Sequence, residues 1–110
     1  MKTQLVVLVH GYCKNSDDMA FLNNGLKNRN YDTFSATLPT TFGTIEDCTN
    51  SLRIQIEDLL CRYEQVHFIG HSMGGLIIQR YLSTTVLNNI GKCIFVATPN
   101  KGSKLATICS

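Results

Sequence analysis

Gly70-His71-Ser72-Met73-Gly74 sets a serine between two glycines, after the apolar run Val66 to Gly70 and before a helix-forming stretch. A serine hydroxyl attacks a carbonyl carbon at neutral pH only if a base takes its proton and donors stabilise the charge that forms on the attacked oxygen. The G-x-S-x-G spacing addresses the second need. It fits a strand that turns sharply into a helix, where a Cβ at Gly70 or Gly74 would strike neighbouring backbone and the serine takes up strained dihedrals. Such a bend pushes Ser72 to the carboxyl edge of a sheet, beside helix-terminal N–H groups that include that of Met73. The plainer alternative is a serine that merely caps the helix after it.

Val9-His10-Gly11-Tyr12 is the natural source of a second donor. If the strands on either side of the first run in opposite directions of sheet order, the loop after strand one sits at a reversal point, where ligands bind. Gly11 then lets the chain bend so that the Tyr12 N–H converges with that of Met73 into an oxyanion hole. Tyr12 is equally placed to line an acyl pocket. Cys13, next along, reads as an incidental loop thiol.

The base is the harder question. All three histidines, His10, His67 and His71, precede or adjoin the serine, and no Asp, Glu or His follows Ser72. His71 is poorly suited because successive side chains leaving a strand diverge. His10 is better read as orienting the oxyanion loop through a hydrogen bond than as the base, and His67 as a hydrogen-bonded core residue. The acidic residues Asp17, Asp18, Glu46 and Asp47 fall in first helical turns, where the helix dipole accounts for them.

Four apolar runs position these groups: Leu5 to His10, Tyr31 to Leu38, Val66 to Gly70 and Cys93 to Ala97. They are continuous rather than alternating, the pattern of parallel strands buried on both faces, and three helical segments lie between them. The first helix starts at Ser16 with Met19, Leu22 and Leu26 on one stripe, weakened by Gly25. The second opens on a Thr44 and Asp47 capping box, followed by Ile45, Cys48, Leu52, Ile56 and Leu59 at helical spacing. A third is predicted to start directly after Ser72 and run through Leu76, Tyr81 and Leu82 toward Asn88, with Asn89 and Gly91 as its stop. Ser103 to Ala106 looks like the start of a fourth. The expected fold is therefore α/β, a three-layer parallel sheet with helices on both faces, in a single domain spanning 1–110.

Composition narrows the function classes. A net charge of +2 with scattered Lys and Arg gives no basic face, so nucleic acid is not an expected partner. No run approaches the ~18 apolar residues of a membrane-spanning helix. Five cysteines, Cys13, Cys48, Cys61, Cys93 and Cys109, show no Cys-x-x-Cys spacing. They predict neither a metal site nor a complete disulfide set, and reduced thiols imply a cytoplasmic protein. No cofactor is expected.

The segments LVVLVHGY, HFIGHSMGGL and IFVATPNKGS together resemble the N-terminal part of an α/β-hydrolase of the lipase and esterase branch, over about Leu5 to Ser103. The resemblance implies strands three to six of that fold, Ser72 as an acyl-accepting nucleophile, Tyr12 and Met73 as oxyanion donors, and a small-molecule ester or lipid as substrate. It also implies an acid and a histidine downstream of the serine, which this sequence does not contain. The chain is on that reading truncated at its C-terminus, and Cys93 to Ala97 becomes an uncovered sheet edge through which copies could associate. A non-catalytic binding or assembly module, and an acyltransferase or thioesterase using the same bend, stay open beside the ester hydrolase.

Overall fold

The computed structural model describes residues 4–10, 29, 31–39, 43–96 and 106–109. Five strands, β1 (Gln4–Val9), β2 (Asp32–Ala36), β3 (Gln65–His71), β4 (Ile90–Val96) and β5 (Ala106–Cys109), form one sheet in the order β2-β1-β3-β4-β5. The first four pair in parallel, with Val9 opposite both Ala36 and Gly70, and Gly70 opposite Phe95, so their carboxyl ends finish level. This is the expected parallel sheet. Chain order reverses between β1 and β3, and helices α1 (Ile45–Leu60) and α2 (Gly74–Ser83) connect the strands.

Alternation sorts the sheet into two faces. Leu5, Val7 and Val9 of β1, Val66 and Phe68 of β3, and Cys93 and Phe95 of β4 pack with Leu52, Ile56, Ile77, Ile78 and Tyr81 of the two helices. Val6, Leu8 and Ile69 form a smaller cluster with Tyr31 and Ile94 on the other face. Strands apolar on both faces read as continuous hydrophobic runs, which is why the sequence shows little alternation. Both described helices lie on the first face. The helix expected from Ser16 lies outside the described residues.

Helix α1 starts where local chemistry dictates. The Thr44 hydroxyl accepts the Asp47 N–H at 3.0 Å while the Asp47 carboxylate accepts the Thr44 N–H at 3.0 Å, a reciprocal capping box. Helix α2 ends earlier than the apolar pattern suggests. Its last carbonyls are taken by hydroxyls, Ser83 donating to Arg80 O at 2.8 Å and Thr84 to Arg80 O at 3.1 Å, and Ser and Thr used this way compete with the helical ladder. Arg53 of α1 then holds the Thr84 and Thr85 hydroxyls and lies over the Tyr81 ring, 5.2 Å from its centre. The residues expected to stop α2 have other duties. Asn89 donates its side-chain amide to Leu60 O and Tyr63 O at the end of α1, and Gly91 sits within β4, where a Cβ would overlap the His67 ring.

Two expectations about the far side of the sheet are overturned. β4 begins at Ile90 and is not an uncovered edge, because β5 pairs with it antiparallel, Val96 opposite Ala106 and Cys93 opposite Cys109. Ala106 therefore belongs to a strand and not to a fourth helix. Strand pairing satisfies the row of backbone groups that β4 would otherwise present to solvent, which a helix at the same place would not.

Candidate active site

The bend between β3 and α2 has the geometry its glycines predict. Ser72 has φ of 57°, the one non-glycine residue among those described in the left-handed region. That conformation brings Cβ close to the following carbonyl and costs a side-chain-bearing residue about 1–2 kcal/mol. It is held from both sides: the Ser72 N–H donates to Val96 O of β4 at 2.8 Å, and Ser72 O accepts the Gly75 N–H at 3.2 Å. A Cβ on Gly70 would stand 2.7 Å from the Gly75 backbone, and one on Gly74 would strike the Val9 and His10 carbonyls. Strand and helix thus approach more closely than any side chain permits.

Ser72 is half-buried and does not cap the helix. Met73 holds the N-cap position, with φ of −62°, and no side-chain cap bond closes the first turn of α2. Met73 O accepts the N–H groups of Leu76 and Ile77, whereas among the described residues no backbone carbonyl accepts the Met73 N–H. One amide donor is thus left beside the serine at the positive end of a helix.

His10 follows Val9 and is buried, 1% exposed. Its Nε2 accepts the Leu38 N–H at 3.3 Å, tying the exit of β1 to the segment after β2. In a neutral ring the proton then sits on Nδ1, and the Nε2 lone pair is already engaged. Gly11, Tyr12 and Cys13 lie outside the described residues, as do Asp17 and Asp18.

The other two histidines have different surroundings. His71 ends β3 and is half-buried. His67 is half-buried on the face away from the helices, with Nε2 2.6 Å from Gln4 Oε1 and Nδ1 accepting the Lys92 N–H at 2.9 Å. Burial first, and the Lys92 charge second, lower its pKa below the ordinary histidine value. Tyr31 meets the same ring edge-on at 6.0 Å.

Residue-level reading of the sequence did not find the groups that brace the bend. Val96 O holds Ser72 from a strand that precedes the sheet's edge, and nothing local marks it. Gly75 could have been found, because the doublet Gly74-Gly75 is visible in the sequence. A groove of about 600 Å³ lined by Arg53, Glu57, Leu60, Tyr81 and Leu87 lies at the opposite end of α2 and is separate from Ser72.

Residues 1–99 match the family described as "Putative serine esterase (DUF676)". The chain belongs to this family. Solved structures repeat its fold: an esterase from Exiguobacterium antarcticum (24% identity, TM-score 0.76, covering 88% of this chain and 38% of that one) and the ydeN gene product from B. subtilis (24%, TM-score 0.73, 87% and 51%). An extracellular α/β-hydrolase from a Paenibacillus species is similar at 21% identity and TM-score 0.72, covering 86% of this chain and 40% of its own. The fold is that of the α/β-hydrolases, and these 110 residues span about half or less of the solved chains they match. A comparison with curated protein sequences finds no match.

Proposed function

We propose that this chain carries the nucleophile and oxyanion half of a serine hydrolase acting on carboxylic esters, with Ser72 as the acyl acceptor. The observation that carries the reading is the left-handed backbone of Ser72, held at the head of a helix that its side chain does not cap. A residue that only capped a helix would adopt extended dihedrals and would gain nothing from the strain. Membership of a serine esterase family supports the same chemistry.

In the proposed reaction the Ser72 oxygen attacks the ester carbonyl, and the oxygen that becomes negative is met by the Met73 N–H and by that of Tyr12. The alcohol leaves, and water hydrolyses the acyl-serine in a second step through the same donors. Each donor of this kind is worth about 3–4 kcal/mol of transition-state stabilisation. Proton transfer needs a histidine with a free nitrogen near the serine oxygen. His10 has Nε2 committed to Leu38 and His67 sits on the face away from the helices, so neither is assigned that role.

A fluorophosphonate probe tests this directly, because it reacts only with an activated serine. Added imidazole can supply a base to the serine, so residues 1–110 should be labelled slowly alone and faster with imidazole. The label should map to the tryptic peptide 63–80, and Ser72→Ala should abolish it. A folded chain that is never labelled on Ser72, with or without imidazole, would favour a binding module that retains the bend. If labelling succeeds, a panel of esters, thioesters and acyl acceptors separates ester hydrolysis from thioester cleavage and acyl transfer.

A further inference from the structure

The antiparallel pairing of β4 with β5 sets Cys93 and Cys109 directly opposite each other, in a register fixed on either side by Ile94 opposite Ile108 and Phe95 opposite Thr107. Directly opposed residues of an antiparallel pair share a sheet face, and their Cα atoms lie about 4.5 or 5.5 Å apart depending on the hydrogen-bonding position. A disulfide spans Cα separations of roughly 4.4–6.8 Å. Both possible positions therefore suit a bond between these two residues. We propose that Cys93 and Cys109 are an oxidation site, which forms a cross-strand disulfide that locks β5 onto β4.

The other two described cysteines are not so placed. Cys48 is buried within α1, where burial first and the neighbouring Asp47 charge second push its thiol pKa up, and Cys61 is exposed at the C-terminal cap of the same helix. Cys93 belongs to the core cluster on the helix side of the sheet, 5% exposed, and so reacts only when the edge opens. Among the described residues β5 is the outermost strand and pairs on one side only. Strands in that position open locally at the least cost, which gives an oxidant access to the pair.

The oxidant is a low-molecular-weight disulfide such as oxidised glutathione. One cysteine thiolate attacks a sulfur of the reagent, whose S–S bond breaks, and a mixed disulfide forms while one glutathione leaves. The second cysteine attacks the protein sulfur of that mixed disulfide and expels the second glutathione. Two protein thiols are oxidised, one reagent disulfide is reduced to two thiols, and the leaving thiolates take the two cysteine protons. Because a one-residue slip moves a whole strand to the opposite face, only the present register allows the bond, and forming it fixes that register.

The test uses the folded wild-type chain, incubated with oxidised glutathione and digested with trypsin without reduction. Cleavage after Lys92, Lys101 and Lys104 puts the two cysteines on peptides 93–101 and 105–110, apart from the other three. The expected result is a linked pair of these peptides and a loss of about 2 Da from the intact chain, corresponding to two hydrogens. Dithiothreitol should reverse both, and Cys109→Ser should abolish both. In concentrated guanidinium the preference for this pair should disappear. An unchanged mass, glutathione left on either cysteine without a cross-link, or links of Cys109 to Cys13, Cys48 or Cys61 in the folded chain would each overturn the proposal.

Discussion

At Ser72 the chain accepts a local cost that glycine would avoid. A φ of 57° is reached by glycine without penalty, so Ser72→Gly should raise stability by about 1 kcal/mol in urea denaturation, whatever it does to reactivity. A loss of stability would mean that the hydroxyl contributes more to the fold than the bend costs. Gly74 sits at the opposite extreme. A methyl group there would strike the Val9 and His10 carbonyls, which belong to β1 and its exit and cannot move without disturbing the sheet. Overpacking of this kind costs about 1–3 kcal/mol, so Gly74→Ala should destabilise while Ser72→Gly stabilises. Two substitutions two residues apart with opposite signs would be hard to explain unless the strand, serine and helix are held as close together as the structure shows.

Among the elements, those governed by neighbours in sequence were legible and those governed by distant neighbours were not. The start of α1 follows from Thr44 and Asp47, three residues apart, so a reader of the sequence can place it. Thr44→Ala should cost about 1 kcal/mol by removing the acceptor of the Asp47 N–H, measured as a fall in the urea midpoint with unchanged slope. Within the same helix Leu52 and Ile56 are fully buried, and Leu52→Ala should cost about 2–5 kcal/mol through the cavity it leaves. The order of the two effects tests whether packing outweighs capping in this helix. The end of α2 is begun by Ser83 and Thr84 taking the Arg80 carbonyl, but the apolar pattern runs past it, and what fixes the chain beyond is Arg53 reaching from α1 and Asn89 drawn to Leu60 O and Tyr63 O, contacts some thirty residues away in sequence. β5 was missed for the same reason: a four-residue segment becomes a strand only because β4 offers it an edge. The bend itself was legible down to its glycines, since its requirement for close approach is written in five consecutive residues, whereas Val96 as its brace depends on strand order.

Across the whole sheet, His67 joins three strands on the face without described helices. Its Nδ1 accepts the Lys92 N–H of β4, which leaves the proton on Nε2 for Gln4 of β1, and the missing side chain of Gly91 makes room for the ring. Protonating Nδ1 would remove an acceptor and place a cation near Lys92, which agrees with a pKa held below the ordinary value of 6.5 by burial and then by that charge. The sign of the effect on stability follows. Between the lowered folded pKa and the unfolded value the unfolded chain binds more protons, so stability increases with pH across that window. The contribution is fully present above about pH 6.5 and is lost as pH falls through the folded value. Urea unfolding of the wild type from pH 7 down to pH 5 should therefore show falling stability. His67→Gln, which can donate and accept without titrating, should flatten that part of the profile even if it lowers stability overall. Lys92→Met should bring the His67 pKa back toward its ordinary value and narrow the window, since one of the two causes is removed. Equal slopes in wild type and His67→Gln would show that His67 does not govern the acid limb, and that the three strands are not tied together through this ring.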